Sequence, residues 1–373
     1  MPRLVRGILF ASVIVAAAWL SAAPAGAAAS AATRLVAIAD IHGDLDAFVA
    51  ILKRAGLIDD ALKWSGGAAT LVQLGDMIDR GPKSRAVLDF VMALQKDARR
   101  TDGRVIVLLG NHEVLNLFGD LRYVMPSDYA SYADADSERR RTTAYDDYVR
   151  LAGAEGAAMS HDDWMAAHPA GFVEQREAFG PEGKYGKWLR SLPAVAKIDD
   201  SLFLHGGVSE TFASWSVSRL NDRVATEIKA FDDAREFLVS KKMLVPYPTL
   251  AETIAAVGVA VSRKMEEVNA LMSFANWLTI HDNGPLWFRG YAKLPDADAE
   301  PLASKVSQQM GVARLVMGHT PEPGAIVQRF GDKVYLIDTG MLRGYVDGGK
   351  ASALEIADGH VRAIYPDGTK MLK

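Results

Sequence analysis

The sequence predicts an α/β sandwich, in which two packed mixed β-sheets are flanked by helices and interrupted by helical insertions. Three observations carry that expectation. Short apolar runs alternate with helical spacing between residues 34 and 113, the pattern of parallel strands joined by right-handed crossovers. Each of those runs ends in a polar, glycine-flanked motif. A second group of short strands returns after residue 313 and is enough to build another sheet.

Taken in order, Arg34-Leu35-Val36-Ala37-Ile38-Ala39 reads as a strand ending in Asp40-Ile41-His42-Gly43-Asp44. Asp44 is placed to cap a helix whose apolar positions Leu45, Phe48, Val49 and Leu52 share one face, and Gly56 ends it. A second strand over 69–74 feeds Gly75-Asp76-Met77-Ile78-Asp79-Arg80-Gly81, and a helix follows with Val87, Leu88, Val91 and Leu94 on one side. A third strand, residues 104–109, ends in Gly110-Asn111-His112-Glu113. Asp40, Asp76 and Asn111 are 36 and 35 residues apart, close to one βα repeat each, so all three belong at one edge of the sheet.

From about 114 to 191 tyrosines, Trp164 and mixed charge replace the alternation, and a second helical stretch falls within 209–280, interrupted near Pro246 and Pro248. Both read as insertions in one domain spanning 33–373. The first is a packed cap with a solvated charged face, a substrate-selecting lid, or both. Strands resume at 194–198 and at Leu202-Phe203-Leu204, which leads into His205-Gly206-Gly207. Arg289 closes the second insertion in Gly284-Pro285-Leu286-Trp287-Phe288-Arg289-Gly290. The end is strand-rich, with residues 313–317 leading into Gly318-His319 and further runs at 325–329, 333–337, 352–356 and 361–365.

The first 29 residues read as an address. Arg3 and Arg6 form a positive start, Gly7–Leu20 is apolar, and Ala25-Gly26-Ala27 offers a cleavage site. An uncleaved anchor is the competing reading, since no charge interrupts Gly7–Ala32. Either way the chain is expected to be exported, to a periplasm or beyond, with no membrane attachment once the leader is removed. The net charge is −4 and becomes −6 without the two leader arginines, which argues against a nucleic-acid partner. The absence of cysteine excludes disulfides, thiolate catalysis and cysteine-held zinc. Any metal must therefore be held by nitrogen and oxygen ligands.

The strand-end motifs supply such a set: Asp40, His42, Asp76, Asn111, His205 and His319. Three imidazoles, two carboxylates and one amide suit borderline metals, and six ligands with one shared carboxylate fit two adjacent ions better than one. Asp40, His42 and Asp76 would hold the first ion, and Asp76, Asn111, His205 and His319 the second. Such a pair can share a hydroxide whose pKa lies near about 7 and which attacks a phosphoryl group in line. His112 points elsewhere if Asn111 binds metal, so it is the candidate general acid, with Asp79 to orient it. Arg80 is suited to grip a phosphate bidentately, with Arg289 as a second clamp and Asn111 also facing the phosphate. Glu113 is read as a loop support. His161, His168 and His360 lie outside such motifs and are read as surface residues.

Asp-Ile-His-Gly, Gly-Asp-Met-Ile-Asp-Arg-Gly, Gly-Asn-His-Glu, His-Gly-Gly and Gly-His together resemble the calcineurin-like metallophosphoesterases, in their phosphoprotein phosphatase branch. Gly-Pro-Leu-Trp-Phe-Arg-Gly is similar to the Shewanella-like protein phosphatase subgroup. The resemblance implies a bimetal α/β sandwich loaded with divalent or trivalent manganese, iron or zinc. It assigns His112 and Asp79 as the acid pair, and Arg80 and Arg289 to the phosphate. Ala39 stands where glycine is common, and Gly318-His319 where eukaryotic serine/threonine enzymes carry Arg-x-His. Ala39 is no ligand, but the second departure and the long 114–200 insertion, which has no counterpart in those enzymes, count against serine/threonine protein specificity, and similarity to the subgroup leaves phosphotyrosine open. The expected function is a binuclear phosphomonoesterase acting on phosphorylated protein. The alternatives are a hydrolase of nucleotides or dinucleoside polyphosphates, and a non-enzymatic phosphate or metal sensor.

Overall fold

Two sheets lie face to face because their strands alternate which side each residue faces. In β1 (Leu35–Ile38), Leu35 and Ala37 enter the core between the sheets, whereas Val36 and Ile38 enter the core beneath the helices. With both faces covered, every residue of β1 is buried, and the strand reads as a continuous apolar run. The computed structural model describes residue 1, residues 34–152 and residues 159–373. The leader and its expected cleavage site therefore lie outside the described residues.

The first βαβαβ unit comprises β1, α1 (Leu45–Arg54), β2 (Thr70–Gln73), α2 (Ser84–Ala98) and β3 (Arg104–Val107). Asp44 caps α1 by accepting the Ala47 N–H at 3.0 Å. Phe48, Ile51 and Leu52 of α1 pack with Val87, Leu88, Val91 and Leu94 of α2 over the same sheet face. Each such fully buried side chain contributes about 1.5–3 kcal/mol. A run of helices follows: α3 (Asn111–Phe118), α4 (Pro126–Tyr132), α5 (Ser137–Ala152), α6 (His161–Ala167), α7 (Phe172–Phe179) and α8 (Lys184–Arg190). Next come β4 (Val195–Ile198) and β5 (Ser201–Leu204), then the second helical stretch of α9 (Val217–Ser240) and α10 (Leu250–Ser262). Its interruption falls around Pro246 and Pro248. A 3-10 segment, Glu266–Asn276, leads to α11 (Gly290–Lys293) and α12 (Asp296–Met310). The chain ends in β6 (Arg314–Met317), β7 (Val327–Arg329), β8 (Val334–Leu336), β9 (Ala353–Ala357), β10 (His360–Tyr365) and β11 (Gly368–Met371).

The six-stranded sheet has the order β11-β10-β9-β1-β2-β3, and the five-stranded sheet β4-β5-β6-β8-β7. β1, β2 and β3 are mutually parallel, while β9 joins β1 antiparallel. In the second sheet β5, β6 and β8 are parallel, with β4 and β7 antiparallel at the edges. Both sheets are therefore mixed. Ala37, Val72 and Leu354 of one meet Phe203, Val316 and Tyr335 of the other in the central core. Among the described residues no helix is long and apolar enough to cross a membrane.

One expectation is corrected. His168 is not a surface residue: it is buried, with its ring stacked 4.0 Å from Trp164 and its Nδ1 donating to the Trp164 carbonyl at 2.8 Å. Trp164 lies one helical turn upstream, and the neutral imidazole completes an aromatic cluster in the cap. His161 and His360 are exposed.

Candidate metal centre

The carboxyl ends of β1, β2 and β3 meet those of β5 and β6 across the sandwich, and every strand-end motif gathers there. The loops lock to one another through backbone bonds. The Asp76 carbonyl accepts the N–H groups of Ile41 and His42 at 2.9 and 3.0 Å, and the Met77 carbonyl accepts that of Gly43 at 3.0 Å. His42, Asp76, Asp79, Arg80 and His319 all hold positive φ, between 46° and 69°. Left-handed backbone at five non-glycine residues is strain, and it persists where the surroundings dictate it. Gly75, at φ +88°, is needed for a second reason: a Cβ there would lie 2.2 Å from the Gly110 nitrogen. Nothing larger than hydrogen lets the second and third motifs approach this closely.

Asp40, His42, Asp76, Asn111, His205 and His319 are all buried and converge. Ligand atoms of His42, Asp76 and His112 lie within 4.8 Å of one another, as do those of Asp76, His205 and His319. Asp76 belongs to both groups. Asp40 Oδ2 lies 3.8 Å from His42 Nε2, and Asp40 Oδ1 accepts the His319 N–H at 3.0 Å. Asn111 Oδ1 lies 2.9 Å from His205 Nε2. His42 Nδ1 is bonded to the Ile78 carbonyl at 3.0 Å, and His205 Nδ1 to the Leu74 carbonyl at 2.9 Å. Carbonyls only accept, so both Nδ1 atoms carry protons and both Nε2 atoms face the centre, as metal-binding imidazoles do. His319 Nε2 is buried without a partner.

The electrostatics fit cations at this place. Burial opposes ionisation of Asp76, but His205 and His112 hold its carboxyl well below the usual range. Burial pulls His205 down, but Asp76 and then Asp40 carry it up to about 9. Its second proton thus sits among carboxylate and amide oxygens, where a metal ion would sit. Burial pushes Asp40 up to about 6 and His42 down to about 3. Once a cation displaces that second His205 proton, three neutral imidazoles with oxygens form a donor set for borderline divalent metals.

Beside this cluster, His112 Nδ1 lies 2.8 Å from Asp79 Oδ2, while His112 Nε2 lies 3.8 Å from Asp76 Oδ2. The Arg80 guanidinium lies between the rings of Tyr123 and Tyr345, 5.1 and 4.5 Å from their centroids. Its Nη1 lies 2.5 Å from the Tyr345 hydroxyl and 3.0 Å from His42 Nε2. Arg289 donates to the His319 carbonyl at 2.7 Å.

The calcineurin-like phosphoesterase family matches residues 33–323. The chain belongs to that family. As a calcineurin-like phosphoesterase it is a metal-dependent phosphatase, and its substrates are phosphorylated. An uncharacterized protein of Schizosaccharomyces pombe is 31% identical over 344 residues, covering 89% of this chain and 81% of that one. Shewanella-like protein phosphatase 2 of Arabidopsis thaliana is 29% identical, over 84% of this chain and 73% of that one. Among solved structures, the cold-active protein-tyrosine phosphatase of a psychrophilic Shewanella species superposes with a TM-score of 0.60. It is 24% identical and covers 91% of this phosphoesterase and 80% of that chain, a likeness of fold.

All of the sequence-derived ligands come together, as do His112, Asp79 and Arg80; Arg289 lies beside them, braced on the His319 loop. Reading the sequence missed four neighbours. Asn116 follows His112 by one helical turn, a spacing that could have exposed it. Asp338 follows β8 in Ile337-Asp338-Thr339-Gly340, the same strand-to-glycine pattern as the other motifs. Burial and then Asp40 hold its carboxyl well above the usual range. Tyr123 and Tyr345 sit on loops and carry no such signal.

Proposed function

We propose that this phosphoesterase is a binuclear phosphomonoesterase acting on phosphorylated proteins, with phosphotyrosine favoured over phosphothreonine. The observation that carries the reading is Asp76 shared between two ligand groups with the Asp79–His112 pair at 2.8 Å beside it. Asp40, His42 and Asp76 would hold one cation, and Asp76, Asn111, His205 and His319 the other. When bound, such a pair supplies a nucleophile from water at neutral pH and offsets phosphoryl charge.

The chain's own residues do the rest. Arg80 grips non-bridging phosphate oxygens, and Arg289, held on the His319 loop, assists. Asp79 can only accept a hydrogen bond, so the His112 tautomer carries its proton on Nδ1 and turns Nε2 to the site. His112 in its imidazolium form then gives the Nε2 proton to the departing ester oxygen. Tyr123 and Tyr345 flank Arg80 and offer aromatic surface to an aryl ester, which supports the tyrosine preference. The relationship to a Shewanella-like protein phosphatase supports a protein substrate. Manganese or iron is the proposed loading, with zinc as the alternative. The leader supports export to a periplasm or the exterior.

Turnover of a phosphotyrosine peptide, a phosphothreonine peptide and diadenosine tetraphosphate by Mn²⁺-loaded protein tests this. The expected order places phosphotyrosine first. Preferred cleavage of diadenosine tetraphosphate would overturn the protein-substrate reading, and no turnover with metal demonstrably bound would make the chain a sensor. Cell fractionation tests export.

A further inference from the structure

We propose that Asn116, set in place by Gln175 of the first insertion, is a positioning residue for proton delivery by His112. The cap is then part of the catalytic apparatus as well as its cover. This rests on His112 acting as the general acid.

The side-chain amide of Asn116 is buried in the middle of a hydrogen-bond chain that runs from Asp79 to Gln175. Its Nδ2 donates to Asp79 Oδ1 and Oδ2, both at 3.0 Å, and to the His112 carbonyl at 3.1 Å. Its Oδ1 accepts from Gln175 Nε2 at 3.0 Å. From the next residue of α7, Arg176 Nη1 donates to the Asn116 carbonyl at 2.7 Å. That carbonyl also takes the Gly119 N–H at 3.2 Å, and the Arg176 bond adds a cation at the negative end of α3. Asn116, Gln175 and Arg176 are each at most 2% exposed, so water does not substitute for any of these bonds.

The direction of every bond follows from one end. The Asp79 carboxylate has only acceptors, so the amide must turn Nδ2 towards it. Oδ1 is then left facing Gln175, which must present Nε2. Asp79 is also held from behind, its own N–H donating to Ser84 Oγ at 3.0 Å. With its carboxylate pinned by Asn116, the oxygen facing His112 Nδ1 has one position, and the imidazole has one aim. Removing Asn116 leaves the Asp79–His112 bond possible but its direction unspecified. Small misplacements of a proton donor cost rate without costing substrate affinity.

Leaving-group dependence reads this specifically. Phenyl phosphate needs a proton on its departing oxygen, whereas 2,4-dinitrophenyl phosphate does not. In metal-loaded protein, His112→Ala is expected to depress kcat for phenyl phosphate far more than for the dinitrophenyl ester. Asn116→Ala should do the same, by about thirtyfold against less than about threefold, with KM within about twofold for both. Gln175→Leu should lower phenyl phosphate turnover about fivefold and leave the dinitrophenyl ester unchanged. In the His112→Ala background, Asn116→Ala should add less than about twofold.

Equal losses on both esters, or full additivity with His112→Ala, would show a merely structural role and overturn the proposal. If Asn116→Ala does not fold, a folded Gln175→Leu with an unchanged ratio of the two esters overturns it alone. A His112→Ala variant that loses both esters equally would instead sink the general-acid reading beneath it.

Discussion

The carboxylate of Glu113 accepts the backbone N–H of Asp76 at 2.8 Å. The same oxygen takes the Gly110 N–H at 2.9 Å, and its partner oxygen takes that of Met77 at 2.8 Å. Glu113 therefore staples the second motif to the third and holds Asp76 in its left-handed conformation. Glu113→Ala would leave buried donors unpaired. It is expected to destabilise the protein by about 3 kcal/mol or more, with Glu113→Gln milder because one acceptor survives. Denaturant midpoints of the two variants against the parent check this.

Asp79→Asn keeps the shape of the dyad but lets an amide face His112 Nδ1, which permits the wrong tautomer. The expected outcome is a kcat on phosphotyrosine peptide lowered by about 10² or more with KM little changed. A variant that retained parental kcat would remove Asp79 from the chemistry.

Proton release should accompany metal binding. At pH 7 His205, carried to about 9 by Asp76 and Asp40 against burial, holds a proton that a cation must displace. Asp40, raised by burial to about 6, is largely ionised there and takes up a proton below that value. The metal-free state thus binds more protons, so affinity rises with pH and falls faster below about pH 6. Calorimetric titration of Mn²⁺ in buffers of different ionisation enthalpy should show about one proton released near neutrality. An affinity independent of pH across this range would contradict the assignment of His205 and Asp40 as ligands.

Gly75→Ala should abolish soluble, metal-binding protein. The added methyl would lie 2.2 Å from the Gly110 nitrogen at a φ of +88°, and backbone has no way to yield there. The control is Gly67→Ala, also at positive φ but with open space around it. Its cost should stay near about 1 kcal/mol. Thermal unfolding separates the two.

The convergence of the candidate ligands was legible in the sequence because each follows a strand whose apolar run is visible, and parallel strands bring such ends together. The Asp79–His112 pair followed from Asn111 facing the centre, since its neighbour must point elsewhere. Less visible was everything set by distant packing. The strand-rich ending does not build one sheet: β6, β7 and β8 join the second, whereas β9, β10 and β11 extend the first. β11 is exposed apart from its first residue, so no apolar pattern marks it. Tyr345 reaches Arg80 across 265 positions, a contact that no local periodicity encodes. His168 reads as solvent-exposed because a polar residue in a charged insertion usually is; Trp164 and Phe172, packed on its ring, make it otherwise.

The pairing of β1 with β9 has a consequence for how the molecule is made. Leu35 lies opposite Ile356, and Arg34 bonds Glu355 across 321 positions. Until β9 has left the ribosome, β1 has one open edge with unpaired backbone groups, and the loop that must close spans about 320 residues. Closure entropy of that size slows folding, and an exposed apolar edge invites association with other chains. The nascent protein is therefore expected to depend on chaperone shelter until β9 has been made.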